Sequence, residues 1–335
     1  MKRNAFTLVE VLVACAVLMI LMAVLAGMVS LTSRTWTGTR GKIEQFQQAR
    51  SAFDALTASL SEATLNPVLE YVDSSGNYRD ASKPDFVPAR YVRRSDLRFK
   101  SGPDLTGRSG ATTHAVFFQS PQGASETIKG LDQLLNTGGF FVELGTDSDW
   151  LPGIVPDSKA RTRFRLIQLI EPTENLGVYS SNGTAWYDTP LADTDTMSIA
   201  AENVVALVLL PKLTQADQES GGYNDSNLAP NYLYDSTVAR ADPNLNCRHQ
   251  LPPVIQATMV AIDETSASRV DHAALKSVLD GLFKTVGSTT DPGQPGLAKD
   301  LKTLEDFLVT EGISYRIFTS NIALKAAKWS REQAN

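Results

Sequence analysis

Hydrophobic positions are distributed unevenly along the chain. From Val11 to Val29 nineteen successive residues carry no strongly polar side chain, and no charge occurs between Glu10 and Arg34. Nineteen helical residues rise roughly 28 Å, about one hydrocarbon thickness. A buried core helix of this length normally keeps a polar face, and this run has none. A cleaved secretory signal has an apolar core of about 7–15 residues and a small-x-small cleavage site. This run is longer, and Glu10 sits at its start. Leu12-Val13-Ala14-Cys15 has the form of a lipobox, yet the 14 positions after Cys15 stay apolar where a lipoprotein turns polar. A plain membrane anchor accounts for the length and leaves Glu10 unexplained. Lys2 and Arg3 precede the run and predict a cytoplasmic N-terminus with an exported C-terminal body.

Helical patterning continues beyond the apolar run. Ile43, Phe46, Ala49, Phe53, Leu56, Leu60 and Ala63 recur every three or four residues, one apolar stripe of an amphipathic helix. Asn66-Pro67 supplies the stop, because the residue before proline disfavours helix. Gly38 and Gly41 mark a weak joint. The stripe reads as a core face that packs on the exported body. The repeat is short for a two-chain coiled coil.

The remainder predicts strands first. Candidates are 90–99, 114–119, 139–144, 161–170, 203–210, 254–262 and 315–320, short runs rich in β-branched and aromatic residues between turn residues. Val204–Leu210 is apolar throughout and predicts a central strand. Arg163-Phe164-Arg165-Leu166 alternates and predicts one wet face. Leu275, Val278, Leu279 and Leu282, then Leu297, Leu301, Leu304 and Leu308, predict two helices, with a loop over 287–296. A polar loop is expected from about Thr214 to Asn231, and a short helix over 323–332 that ends the chain as a solvated tail or as a docking element.

Charge divides the chain further. The 335 residues carry a net −6; residues 1–66 hold 6 basic and 4 acidic side chains, residues 67–335 hold 25 and 33. A general nucleic-acid binder is normally basic, so nucleic acid is not an expected partner. The mean hydropathy of −0.14 averages a membrane-grade helix with a polar body. No repeat of fixed period is present.

Enzymatic signatures are missing. His114, His249 and His272 are far apart, and there is no His-Glu-x-x-His or Cys-x-x-Cys pair, so zinc has little support. No Gly-x-Ser-x-Gly elbow and no phosphate-binding loop occurs. Cys15 and Cys247 are too far apart to pair, and Cys247 is expected to be buried. Asp147-Ser148-Asp149 and Asn224-Asp225 offer oxygen ligands of the kind calcium uses, without the spacing of an EF-hand. The reading is no enzyme, no catalytic residue, no metal residue and no cofactor, with calcium a weak option.

One segment carries the functional signal. Lys2-Arg3-Asn4-Ala5-Phe6-Thr7-Leu8-Val9-Glu10, followed by the apolar run, resembles the type IV prepilin family, which includes the pseudopilins of type II secretion. The resemblance implies cleavage by a prepilin peptidase between Ala5 and Phe6, N-methylation of Phe6, and an assembly role for Glu10. The family normally has Gly before the cut, where this chain has Ala5. A carboxylate at a membrane edge is costly. In a fibre it pairs with the N-terminal amine of a neighbouring subunit, as the resemblance implies, which offsets part of that cost and sets register. The closing stretch Arg316–Lys325, with Lys328-Trp329-Ser330, resembles the cassette protein C family, prepilin-like proteins of multi-gene cassettes in Verrucomicrobia. The body is also similar in outline to the large minor pseudopilin of type II secretion.

The expected fold is therefore α+β and pilin-like: a long N-terminal helix, membrane-spanning then amphipathic, packed on an antiparallel sheet with an enlarged C-terminal body. The expected organisation is a leader at 1–5, the helix at 6–66 and an exported body at 67–335. The expected function is a minor pilin-like (pseudopilin) subunit of a type IV pilus or type II secretion-like fibre. Its partners are then the prepilin peptidase, other pilin-like subunits, the inner-membrane assembly platform and the inner membrane itself. It is single-pass, with a periplasmic body. The competing expectation is a membrane-tethered periplasmic enzyme, or a binding or adhesion protein, on a prepilin-type anchor.

Overall fold

A computed structural model describes residues 8–80, 82–151, 154, 156–180, 183–221, 226–239, 246–285 and 296–330. The chain divides into two compact units, Met1–Gln47 and Gln48–Asn335.

The first unit is helical where it is described. Helix α1 runs from Leu8 to Ser61 and so extends into the second unit. Its segment Leu8–Ser33 is 26 residues long and apolar enough to cross a membrane. Every side chain in that segment is exposed. So much contiguous apolar surface is not left in water by a soluble monomer.

The second unit starts with the last turns of α1, whose stripe is buried at Ala49, Phe53, Leu56 and Leu60. The helix ends at Ser61, five residues before the expected stop. Its end is closed by the far end of the chain, because the Lys325 N–H donates to the Ser61 carbonyl at 3.0 Å. That satisfies one of the carbonyls a helix end leaves without a partner. Thr64 then joins the body by donating its N–H to the Gln119 carbonyl at 2.8 Å.

Two antiparallel sheets form the body. The strands, in chain order, are β1 (Val68–Val72), β2 (Arg90–Arg94), β3 (Lys100–Pro103), β4 (Ala111–Pro121), β5 (Leu135–Gly145), β6 (Arg163–Glu171), β7 (Met197–Glu202), β8 (Val204–Lys212), β9 (Tyr234–Asp235), β10 (Val254–Ile262) and β11 (Tyr315–Ala323). The larger sheet has the order β7-β6-β5-β4-β3-β9, the smaller β11-β10-β8, and β1 with β2 makes a separate two-stranded ribbon. Strand β8 packs against β3, β4, β5 and β6. Phe53 of α1 meets Phe318 of β11, ring centroids 6.0 Å apart. The helices after α1 are α2 (Ala185–Leu191), α3 (Gln215–Gly221), α4 (Glu264–Ala267), α5 (His272–Gly281) and α6 (Gly296–Thr310).

Several expectations are corrected. The expected strand 90–99 stops at Arg94, residues 95–99 form a bend, and the next strand begins only at Lys100. The Asn66 side-chain oxygen accepts from Ser95 Oγ at 2.9 Å, Asp96 N at 3.0 Å and Leu97 N at 3.1 Å, and that turns the chain between β2 and β3. Strand β8 is an edge strand rather than a central one: its apolar run reports burial on both faces, one covered by the larger sheet. Arg165 is not on a wet face but 1% exposed. The loop from Thr214 contains α3, and residues 222–225 lie outside the described residues. The expected loop 287–296 lies outside them too, except Gly296, where α6 begins. No short helix forms over 323–330. The chain leaves β11 through a turn and is held by Gln250, whose Nε2 donates to the Ser330 carbonyl at 3.1 Å while its Oε1 accepts the Ser330 N–H at 2.8 Å. The segment is thus docked rather than a solvated tail, and Lys325 pairs with Glu62.

Candidate processing and assembly site

The processing residues Lys2, Arg3, Ala5 and Phe6 lie outside the described residues, and Glu10 lies within them. Glu10 occupies the first turn of α1 and is exposed. The first turn of a helix carries unsatisfied N–H groups and a partial positive charge, so it is the end where a carboxylate is best tolerated. From Val11 to Ser33 the helix continues through 23 residues without a charge. Cys15, the lipobox cysteine, is exposed on the same helix and free.

The chemistry sought in the body is dispersed. Among the described residues, no three His, Cys, Asp or Glu side chains come together as a metal-binding group. Cys247 is buried, as expected, and is in no disulfide. The oxygens of Asp147 already have partners: Oδ1 accepts the Arg161 N–H at 2.6 Å and Oδ2 lies 3.3 Å from Arg165 Nη2. Arg165 also donates to the carbonyls of Gly145 at 2.7 Å and Arg161 at 2.8 Å. Burial pushes its guanidinium down from the ordinary value, and Asp147 and Glu202 pull it back up. The second calcium candidate, Asn224-Asp225, lies outside the described residues.

Each histidine has its own setting. Burial holds His114 down at about 4, and it sits between the two sheets. His249 lies beside β2, accepts the Ser95 N–H on Nδ1 at 3.2 Å and is likewise held at about 4, by burial first and then by Arg248, Arg94 and Arg93. His272 stacks on Phe164 at 5.9 Å and is lowered by burial. At pH 7 all three are therefore neutral. The sequence had no signal for His114 as a joint, because its partners come from 95 and 169 positions away.

The first 26 residues match the family model described as the prokaryotic N-terminal methylation motif. Comparison with curated proteins and with solved structures returns no match. The N-terminus is therefore prepilin-like: it carries the motif of proteins processed by a prepilin peptidase, and the motif overlaps the one helix among the described residues that is long and apolar enough to cross a membrane, consistent with a membrane-anchored pilin.

Proposed function

We propose that this protein is a minor pilin-like subunit of a type IV pilus or type II secretion-like fibre. The carrying observation is one coincidence. The methylation motif at residues 1–26 overlaps an exposed apolar helix, Leu8–Ser33, that has its carboxylate in the first turn. On this reading the peptidase cuts between Ala5 and Phe6 and the new α-amino group of Phe6 is methylated. Lys2 and Arg3 hold the leader on the cytoplasmic side of the inner membrane, and the body lies in the periplasm or on an extracellular fibre. Glu10 then meets the N-terminal amine of the neighbouring subunit. A body of this size suits a low-copy position better than the repeating one. Pilin-like packing of α1 on the body is part of the same reading, supported by the buried stripe from Ala49 to Leu60.

The subunit works without catalysis or a cofactor in this account. Its neighbours are other pilin-like subunits and the assembly platform, and kinship with the cassette protein C family is supported by the closing stretch Arg316–Lys325 with Lys328-Trp329-Ser330. The test is the mature N-terminus. In cells with an active prepilin peptidase, mass spectrometry finds a chain that begins at singly methylated Phe6; a chain that retains Met1 to Ala5 overturns the reading.

A further inference from the structure

The ribbon of β1 and β2 presents an uncovered face. Leu69 lies opposite Arg93 across the ribbon, and Tyr71 lies opposite Tyr91. Strand alternation puts these four side chains on one face. Leu69 is 58% exposed and Tyr91 56%. The two tyrosine rings lie 4.2 Å apart and meet hydroxyl to hydroxyl. Beside the pair Leu69–Arg93 opens a cavity of about 260 Å³, lined by Leu65, Val68, Leu251 and Lys328 as well as that pair.

The charges there are unbalanced. Arg94 is paired with Glu70 at 2.8 Å. Neither Arg93 nor Lys328 has an ion pair among the described residues. Arg93 is half-buried, and burial pushes its guanidinium down from the ordinary arginine value with no carboxylate to offset it. A partly desolvated cation without a counter-ion is costly, and an arriving carboxylate relieves that cost. The strand edge is open as well: Val68, Leu69 and Glu70 pair with β2 and with no other strand among the described residues.

We propose that this face takes an extended, acidic segment of a partner chain, which lies along β1, sets apolar side chains into the cavity and places a carboxylate against Arg93 and Lys328. An open strand edge supplies main-chain hydrogen bonds and the cavity supplies selectivity, the mode of strand addition. Charge complementarity chooses the sign of the partner. The occupant is a short acidic segment rather than a long polyanion, because residues 67–335 carry 33 acidic against 25 basic side chains and repel an extended negative chain. This face is independent of the membrane-spanning segment Leu8–Ser33 and of its processing.

The test is a photo-crosslinking residue, benzoylphenylalanine, placed at Leu69 of the full chain in the cells that make it, with the adduct mapped by mass spectrometry. Val309 on α6, 65% exposed, is the control position. The expected result is an adduct at position 69 and not at 309, mapped to an acidic segment of another chain. Its yield falls at least tenfold in Arg93→Glu and in Lys328→Glu. Lys328 is exposed, so its variant folds even if the Arg93 variant does not. An adduct to lipid, to a segment without carboxylates or to the chain's own last residues overturns the proposal. So does equal yield at Val309, or a yield unchanged by Lys328→Glu.

Discussion

His114 of β4 accepts the backbone N–H of Leu209 of β8 on Nδ1 at 2.9 Å. Its other nitrogen, Nε2, then carries the proton and donates to the Phe283 carbonyl at 2.8 Å. Strand β8 is an edge strand of the smaller sheet, and its outward N–H groups need partners. Thr113 supplies one more, because its Oγ1 accepts the Leu207 N–H at 3.1 Å. Both side chains reach β8 because the β4–β5 register shifts between Thr112 and Ala115, with Thr113 at φ +57°. A β-branched residue at positive φ is strained, and the hydrogen bonds to β8 hold it there. One imidazole thus joins the larger sheet, the smaller sheet and the turn after α5.

That joint makes stability depend on pH in a defined direction. His114 is neutral in the fold, with its value lowered from 6.5 to about 4 by burial, and it titrates near 6.5 when unfolded. Its contribution is complete above pH 6.5. It is lost as pH falls from 6.5 toward 4, where only the unfolded chain takes up the proton, and below that it is constant. The full loss is about 3 kcal/mol. His249 and His272 are lowered too and act in the same direction. Thermal unfolding of the full chain in detergent should show a melting temperature that drops between pH 7 and pH 4.5. In His114→Phe the protein is less stable at pH 7 by roughly 2–5 kcal/mol, since two backbone groups lose their partner, and the pH dependence is shallower. A melting temperature independent of pH in the native chain contradicts this account.

Asp147 is the counter-ion of a buried arginine, Arg165. Arg165 Nε, 3.9 Å from Glu202, has no hydrogen bond of its own. Removal of one partner of a buried pair leaves an uncompensated charge and typically costs about 3–5 kcal/mol. Asp147→Ala should lie near the lower end, because Glu202 and two carbonyls remain. Calorimetry with and without millimolar calcium checks both halves: the variant melts well below the native chain, and calcium leaves the native melting temperature unmoved. A calcium-dependent rise reverses the assignment.

Gly139 sits where β5 passes over Phe117. A Cβ at position 139 falls 2.5 Å from Phe117 Cδ1 and 3.1 Å from the Val116 carbonyl. Phe117 cannot withdraw, since its ring is stacked on Tyr187 at 4.4 Å and 5°. Gly139→Ala should therefore destabilise by roughly 1–3 kcal/mol, the usual cost of overpacking. Gly281→Ala, where nothing lies within 4 Å, is the control and should shift stability by less than about 0.5 kcal/mol. Equal melting temperatures for the two variants contradict the packing at Phe117.

These examples separate what is legible in the chain from what is not. Val254–Ile262 was readable with the bounds it has, because an apolar, β-branched run between turn residues is a local signal. The membrane-grade helix and the helices at 272–281 and 296–310 were readable for the same reason. Position within a sheet was not: an apolar run such as 204–210 reports two covered faces, and either an interior strand or a sandwiched edge meets that condition. Arg165 read as solvent-facing because its cover, Asp147 and the Gly145 carbonyl, is set by folding at long range. The break at 95–99 depends on Asn66, about thirty residues earlier, and the docked segment at 324–330 depends on Gln250. The assembly residue Glu10 stood out because a carboxylate next to an apolar run has no local reason to be there.

Glu10 therefore carries the last prediction. Replacement of a carboxylate near the head of an apolar helix lowers the cost of membrane insertion, which reaches about 2.5–3.5 kcal/mol for an acidic residue at mid-membrane and less near the edge. Glu10→Ala and Glu10→Gln should both insert at least as well as the native chain. Glutamine keeps the volume and the hydrogen-bonding capacity of the side chain and removes only its charge. If the charge is what meets the neighbour's N-terminal amine, both variants drop out of the fibre alike, by tenfold or more relative to native. If hydrogen bonding sets register instead, glutamine retains incorporation and alanine loses it. The measurement is the ratio of protein in the sheared fibre fraction to protein in the membrane fraction. Native ratios in both variants remove Glu10 from assembly and favour the reading in which the helix is only a tether. The mature N-terminus is scored in the same samples, so that a failure of processing at Ala5–Phe6 is told apart from a failure of assembly.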